Sequence, residues 1–424
     1  MAFRTGNRSV FTGAGGPGLI EEGRLTLPEM LRGQGYSTTL IGKWHVGLTF
    51  SDKEGKPINN GSLESIQRID YSRPIPDSPI HRGFDRFFGT ACCPNTDWLY
   101  AFIDGDRIPV PPTKLIDKSK LPKNPYTDDC RPGMIAPDFD MEEMDMIFLK
   151  KSLQFLDEHH AKSPEKPFLL FHSTQAVHLP SIPGKDFQGK TKAGPHGDFI
   201  AEFDYVVGTL LKKLEDLGIA DNTLVILTSD NGPEVPTVVN MRKDYQHDGA
   251  RPWRGVKRDQ WEGGHRVPYI VRWPGKVASA STSAQTTCLT DVMATCASIV
   301  GAKLPNNCAE DSIDMSSVLL GKDGGKPVRD YTLHQTWTLE LAIRQGDWKY
   351  LDHKGSGGNK YAPASELGPY ILPEAAPDAP AQLYNLAEDP GETNNLILQR
   401  PEIAAKLKAL LDQSKASGRS APVR

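Results

Sequence analysis

The sequence predicts an α/β fold: a mostly parallel central sheet sandwiched by helices, then a small C-terminal α+β subdomain with an antiparallel sheet and a helix. Three observations carry this. Short apolar runs at 168–171 and 223–229, closed by turn residues, read as buried strands. Amphipathic helical stretches at about 142–158 and 198–217 alternate with them, and strand–helix–strand repetition implies parallel pairing beneath helices. Beyond about 325 the pattern changes. Tyr331-Thr332-Leu333, Leu341-Ala342-Ile343-Arg344 and Trp348-Lys349-Tyr350-Leu351 read as an antiparallel set, with a last helix around 401–415 packed on it. The expected division is a catalytic domain over 1–325 and a C-terminal subdomain over 326–424.

Taken in order, Thr26 and Glu29 form a capping box, Pro28 sits in the first turn, and Gly35 closes a short helix. The β-branched run 37–41 then makes a strand ending at Gly42-Lys43-Trp44-His45-Val46-Gly47. Strand alternation puts Lys43 and His45 on one face and turns Trp44 into the core. A cation beside an imidazole suits an anionic substrate that needs proton transfer, although a solvated strand end has the same appearance. The 142–158 helix places Met144, Phe148, Phe155 and Leu156 on its apolar face. The loop after strand 168–171 carries His178, and Gly218 ends the next helix. Strand 223–229 opens into Asp230-Asn231-Gly232. Ligands of open α/β sheets sit beyond strand carboxyl ends, and Asp and Asn offer the hard oxygens that Ca²⁺ or Mg²⁺ takes. The same triplet is also a good turn. Thr290 is expected to cap a helix running to Gly301, and residues 104–140, rich in Pro, Asp and Lys, to form a surface excursion.

Composition fits an enzyme body. The chain has 424 residues and a formal net charge of −4, which gives no argument for nucleic acid or an anionic membrane as partner. No apolar run approaches the length of a membrane span. The cysteines Cys92, Cys93, Cys130, Cys288, Cys296 and Cys308 match no zinc spacing and are too sparse for a disulfide scaffold. Cys92-Cys93 reads as packing against Trp98 and Tyr100 ahead of the alternative, lining a pocket.

The ordered motifs resemble the sulfatases of the alkaline-phosphatase superfamily, in particular the arylsulfatase A-like branch. They are Thr26-Leu27-Pro28-Glu29 through Gly42-Lys43-Trp44-His45, Gly83-Phe84-Asp85-Arg86-Phe87, Ala176-Val177-His178-Leu179-Pro180, and Thr228-Ser229-Asp230-Asn231-Gly232. Gly255-Val256-Lys257 with Glu262-Gly263-Gly264, Leu383-Tyr384-Asn385-Leu386 and Asp389-Pro390-Gly391-Glu392 follow. The resemblance implies a sulfuric ester hydrolase that is periplasmic or extracellular and acts on a sulfated small molecule or glycan. It implies that Asp230 and Asn231 hold Ca²⁺ (Mg²⁺ being possible), and that Lys43 and Lys257 hold sulfate oxygens. His178 would help stabilise or protonate the leaving oxygen, and His45 would act beside the formylglycine nucleophile. Without that frame, Lys257 reads equally as one more solvated base and His178 as a loop histidine.

One family feature has no counterpart. No cysteine lies in a Cys-x-Pro-x-Arg setting, and the turn Phe3-Arg4-Thr5-Gly6 resembles the one that follows that signature. The expectation is that the nucleophile segment and its two aspartates lie upstream of Met1, and that the chain as written is inactive and poorly soluble. A phosphomonoesterase or phosphonate hydrolase of the same superfamily is the alternative, as is a non-catalytic remnant that binds sulfated glycans. His265 and His334 read as weaker candidates, the second as a contact at the pocket mouth, and Trp98, Tyr100 and Trp337 as possible stacking surfaces.

Overall fold

The computed structural model describes residues 16–424, so the turn at Phe3–Gly6 lies outside the described residues. They divide into two compact units, 16–220 and 221–424.

In the first unit, α1 (Leu27–Gly33) starts where the capping signal puts it, with the Thr26 hydroxyl accepting from Glu29 N and Pro28 in the first turn. It leads into β1 (Ser37–Lys43). β2 (Arg86–Thr90), β3 (Ile103–Asp104) and β4 (Phe168–Ser173) complete a sheet of order β3-β2-β1-β4. β1 runs parallel to both its neighbours, Leu40 lying opposite Phe87 on one side and Phe171 on the other; β3 is antiparallel to β2. As an interior strand, β1 buries everything but its two end residues, which is why its sequence is a continuous apolar and β-branched run. Gly42 is required here. A Cβ on it would stand 1.8 Å from the Ser173 carbonyl oxygen, so only glycine lets β1 and β4 close up at their carboxyl ends.

Two long helices belong to this unit, α2 (Met144–Lys162) and α3 (Gly194–Asp216). The four apolar residues expected to face the core from α2 are all buried, and Phe148 joins Leu40, Ile41, Phe87 and Phe102 in one cluster. α3 begins four residues earlier than expected because Pro195 opens it, a first-turn position that proline tolerates. The 104–140 excursion is exposed over much of its length yet returns to the core at Phe139, whose ring lies 4.9 Å from Phe102.

Glu202 on α3 is buried, accepts from Gly184 N at 2.8 Å, and is pushed up to about 8 by burial. Its folded value lies above the ordinary 4.5, so its contribution is fully present below 4.5 and is lost as pH rises through about 8. Glu202→Gln keeps a carbonyl acceptor and removes the ionisation. The variant should exceed the parent in stability above that pH by on the order of 3 kcal/mol, with the gap closing on acidification. Chemical denaturation across pH measures this directly, and a gap independent of pH would contradict it.

In the second unit, β5 (Val225–Thr228) precedes α4 (Val235–Tyr245), β6 (Tyr269–Arg272) and α5 (Asp291–Val300). β5 corrects one expectation. It pairs antiparallel with β6, and Val225, Ile226 and Leu227 are only half-buried. A short apolar run marks a strand but carries no information on the direction of its partner. Thr290 corrects another: its hydroxyl donates to Asp311 O instead of capping α5, and Asp291 takes the acceptor role from Cys288 N and Ile313 N. Gly301, at φ 70°, closes the helix as expected.

The C-terminal strands β7 (Thr332–Gln335), β8 (Leu341–Gln345), β9 (Trp348–Leu351) and β10 (Gln382–Asn385) form an antiparallel sheet in chain order. Leu407 and Leu411 of α6 (Pro401–Ser417) pack with Leu333, Ile343, Tyr350 and Leu383. This is the antiparallel sheet plus helix that the sequence predicts.

Candidate functional site

The carboxyl ends of the three parallel strands in the first unit deliver three groups to one place. β1 ends at Lys43, which is half-buried. The chain then continues beside β2 through Trp44 N to Thr90 O and His45 N to Ala91 O, both 3.1 Å. His45 adopts φ 58°, so strand alternation stops before it; Trp44, half-buried, packs against the core cluster as expected and donates its indole N–H to Gly47 O. The strand alternation expected to pair Lys43 with His45 therefore does not extend to His45, which a turn carries.

What His45 meets is Cys93, just beyond β2: Nδ1 lies 3.5 Å from Sγ. His178, in the loop after β4, approaches the same sulfur with Nε2 at 3.7 Å. The His178 Nδ1–H donates to the Leu179 carbonyl, which fixes the tautomer and leaves Nε2 as the basic nitrogen. Cys92, the two histidines and burial together split the cysteine pair. Burial pushes Cys92 up, whereas the Cys92 thiol and the imidazoles hold Cys93 well below the usual thiol range. The packing role assigned to this pair is thus wrong for Cys93. Tyr100, its supposed neighbour, is buried and spends its hydroxyl on Arg131 O, so it offers no stacking surface.

The loop carrying His178 is held from α2. Buried Asp145 accepts from Gln175 N through one oxygen and Ala176 N through the other, each at 2.8 Å. Asp145→Asn leaves one of those amides facing an N–H donor. The expected cost is about 1–3 kcal/mol, with faster exchange at the Gln175 and Ala176 amides. Unfolding curves and hydrogen exchange read both effects.

In the second unit, Asp230 and Asn231 follow β5. Asp230 is exposed, and Asn231 donates through Nδ2 to Gly232 O, which leaves Oδ1 as its accepting end. Gly232 N donates to Gly264 O, and a Cβ on Gly232 would lie 1.9 Å from Gly263 O, so Asp-Asn-Gly and Glu-Gly-Gly are two sides of one backbone contact. Lys257 lies 3.4 Å from Glu234, whose carboxylate also takes Arg258. Burial works against the Glu234 charge, but Arg258 and Lys257 outweigh it and hold its carboxyl below the usual range. Asn359 braces the segment by donating to Lys257 O. Glu234 was not singled out from sequence; its position at the start of α4 was the available signal.

His265 follows Gly264 directly and meets His334. Their rings stack at 3.9 Å beside Lys349, whose Nζ is 3.2 Å from His265 Nε2 and 2.9 Å from Glu262. Burial first, then the Lys349 charge, pushes His265 down to about 4. His334, half-buried, stacks on His265 within this network.

These features sit on a fold with known relatives. The family model for sulfatases matches residues 5–302. An N-acetylgalactosamine-6-O-sulfatase from Bacteroides thetaiotaomicron is 30% identical, over 94% of this chain and 78% of its own. Arylsulfatase A of Bos taurus is 29% identical, over 90% of this chain and 68% of its own. A Bacteroides thetaiotaomicron structure from a study of the metabolism of multiple glycosaminoglycans superposes with a TM-score of 0.79 at 28% identity, covering 98% of this chain and 86% of that one. The chain belongs to the sulfatase family, whose members are sulfuric ester hydrolases and in general use a metal ion and formylglycine. Among the described residues, no helix is long and apolar enough to cross a membrane.

Proposed function

We propose that the chain removes sulfate from a sulfated glycan, with 6-O-sulfated N-acetylgalactosamine as the substrate unit, outside the cytoplasm. The observation that carries the substrate is the 30% identity, along nearly the whole chain, to a relative with that specificity in its name. Sulfate monoesters accumulate charge on the equatorial and leaving oxygens during transfer, so cations and a proton donor are what the reaction needs. Lys43 and Lys257 meet the first need by holding sulfate oxygens. Glu234 and Asn359 keep the Lys257 segment in place. His178 meets the second need: with Nδ1 committed to Leu179 O, a proton carried on Nε2 goes to the departing sugar oxygen. His45 is assigned proton transfer at the nucleophile side.

Asp230 and Asn231 fit a hard cation in donor chemistry, one by a carboxylate and the other by an amide oxygen, and would hold Ca²⁺, with Mg²⁺ as the alternative. Bound there, the ion would supply positive charge to the sulfate oxygens.

Calorimetric titration of the chain with N-acetylgalactosamine 6-sulfate, the 4-sulfate and the unsulfated sugar tests the reading. Binding should favour the 6-sulfate and weaken at least tenfold in Lys257→Ala. Equal affinity for sulfated and unsulfated sugar would overturn it. A sulfate-release assay on a form extended by the nucleophile segment expected upstream of Met1, with its formylglycine verified by mass spectrometry, then tests turnover.

A further inference from the structure

We propose that His45, Cys92 and Cys93 form a second, soft-metal site that takes zinc, and that an ion held there switches off His45 as a proton carrier. The His45 nitrogen and the two sulfurs all lie within 4.8 Å of one another. Cys93 Sγ is 3.5 Å from His45 Nδ1 and 3.7 Å from His178 Nε2. Tetrahedral zinc, with bonds near 2.3 Å to sulfur and 2.0–2.1 Å to nitrogen, spaces neighbouring ligand atoms roughly 3.3–3.8 Å apart. The His45–Cys93 contact therefore has the span of an edge of a zinc tetrahedron before any ion is added.

The donor set also selects the ion. Two thiolates and an imidazole suit zinc and repel calcium, which takes oxygen ligands, so this site is chemically distinct from Asp230 and Asn231. Both cysteines are free thiols and buried, while His45 is half-buried and offers the way in. Binding forms two Zn–S bonds and one Zn–N bond, each coordinating thiol gives its proton to solvent, and nothing is oxidised or reduced. Water completes the coordination on the side of His178. An occupied site uses the His45 nitrogen as a ligand, so that imidazole can no longer carry a proton for the reaction; the two thiolates neutralise the ion's charge, and His178 is left uncoordinated.

Inhibition rests on the sulfatase reading of His45; metal binding does not. The test uses the full chain, reduced and metal-free, with Co²⁺ as the probe. One equivalent should give a thiolate-to-cobalt charge-transfer band and tetrahedral ligand-field bands, which zinc bleaches and excess Ca²⁺ leaves alone. Cys92→Ser and Cys93→Ser should each weaken binding at least tenfold, while Cys130→Ser, at a buried cysteine beside Tyr100, should bind as the parent does. Circular dichroism of each variant separates lost ligation from lost fold. Absence of the bands in the folded parent, or their survival in Cys93→Ser, overturns the site. In a form that also carries the upstream nucleophile segment, with formylglycine verified, zinc should stop sulfate release reversibly, restored by chelator. Bands without zinc inhibition overturn the switch alone. Bands in that formylglycine-bearing form without hydrolysis sink the hydrolytic roles and leave the metal site standing.

Discussion

Lys349→Met should cost roughly 3–5 kcal/mol of stability, with the loss largest at alkaline pH and shrinking as pH falls below about 7. Lys349 is fully buried in β9 between two buried carboxylates, Glu262 at 2.9 Å and Glu392 at 3.0 Å. Removing the ammonium leaves both charges without it in a place water does not reach. The two carboxylates then respond differently. Glu262 keeps Arg266 at 3.2 Å and Arg344 at 3.4 Å, so it stays ionised. Glu392 is already pushed up to about 7, because burial outweighs the pull of Lys349. Its folded value exceeds the ordinary 4.5, so its contribution is present below 4.5 and lost as pH rises through about 7. Without Lys349 that value climbs further, and on acidification Glu392 escapes the penalty by taking a proton. Urea unfolding at pH 8 and pH 5.5 should show the difference. The double variant Lys349→Met/Glu392→Gln should recover much of the loss at pH 8, because the neutral amide can still accept from Glu262 N. A double variant no more stable than the single one would show that the repelled charge is not the cause.

The same residue shows why part of this molecule was legible in the sequence and part was not. Trp348-Lys349-Tyr350-Leu351 announces a strand, and the strand is there, but alternation assigns a lysine to solvent. Its burial depends on Glu262 and Glu392, far away in the chain, and no local pattern carries such a pairing. Cys93 is the parallel case. Its partners His45 and His178 are 48 and 85 residues away, whereas Trp98 and Tyr100 are close and suggested packing. What could be read was whatever local chemistry dictates: the Thr26 cap, the buried run of β1, the apolar face of α2 and the antiparallel C-terminal sheet. The motif residues His45 and His178 were also legible, and both reach carboxyl ends of parallel strands. The route to His45 was not. Reading it as a strand residue required the strand to continue two positions past Lys43, and a left-handed residue at His45 ended it.

On the proposed reading, His178→Ala should lower kcat on a sugar sulfate by about 10²–10⁴ and hardly affect an aryl sulfate with a good leaving group. A sugar hydroxyl is a poor leaving group and must be protonated as the S–O bond breaks, whereas a nitrophenolate leaves unaided. The contrast between substrates is what separates proton donation from a merely structural role, because a collapsed loop would depress both rates together. Asp145→Asn supplies the matching control. It disturbs the amides at Gln175 and Ala176 that hold the His178 loop but leaves the imidazole in the protein, so its effect should be smaller and similar for both substrates. The assay needs the form extended by the upstream nucleophile segment, its formylglycine verified by mass spectrometry, and a metal-chelating pre-wash followed by Ca²⁺, so that an ion at Cys92 and Cys93 does not hold His45 out of the reaction. If His178→Ala slows the aryl and sugar esters by the same factor, the leaving-group role is wrong, and His178 is left with positioning Cys93 and its own loop.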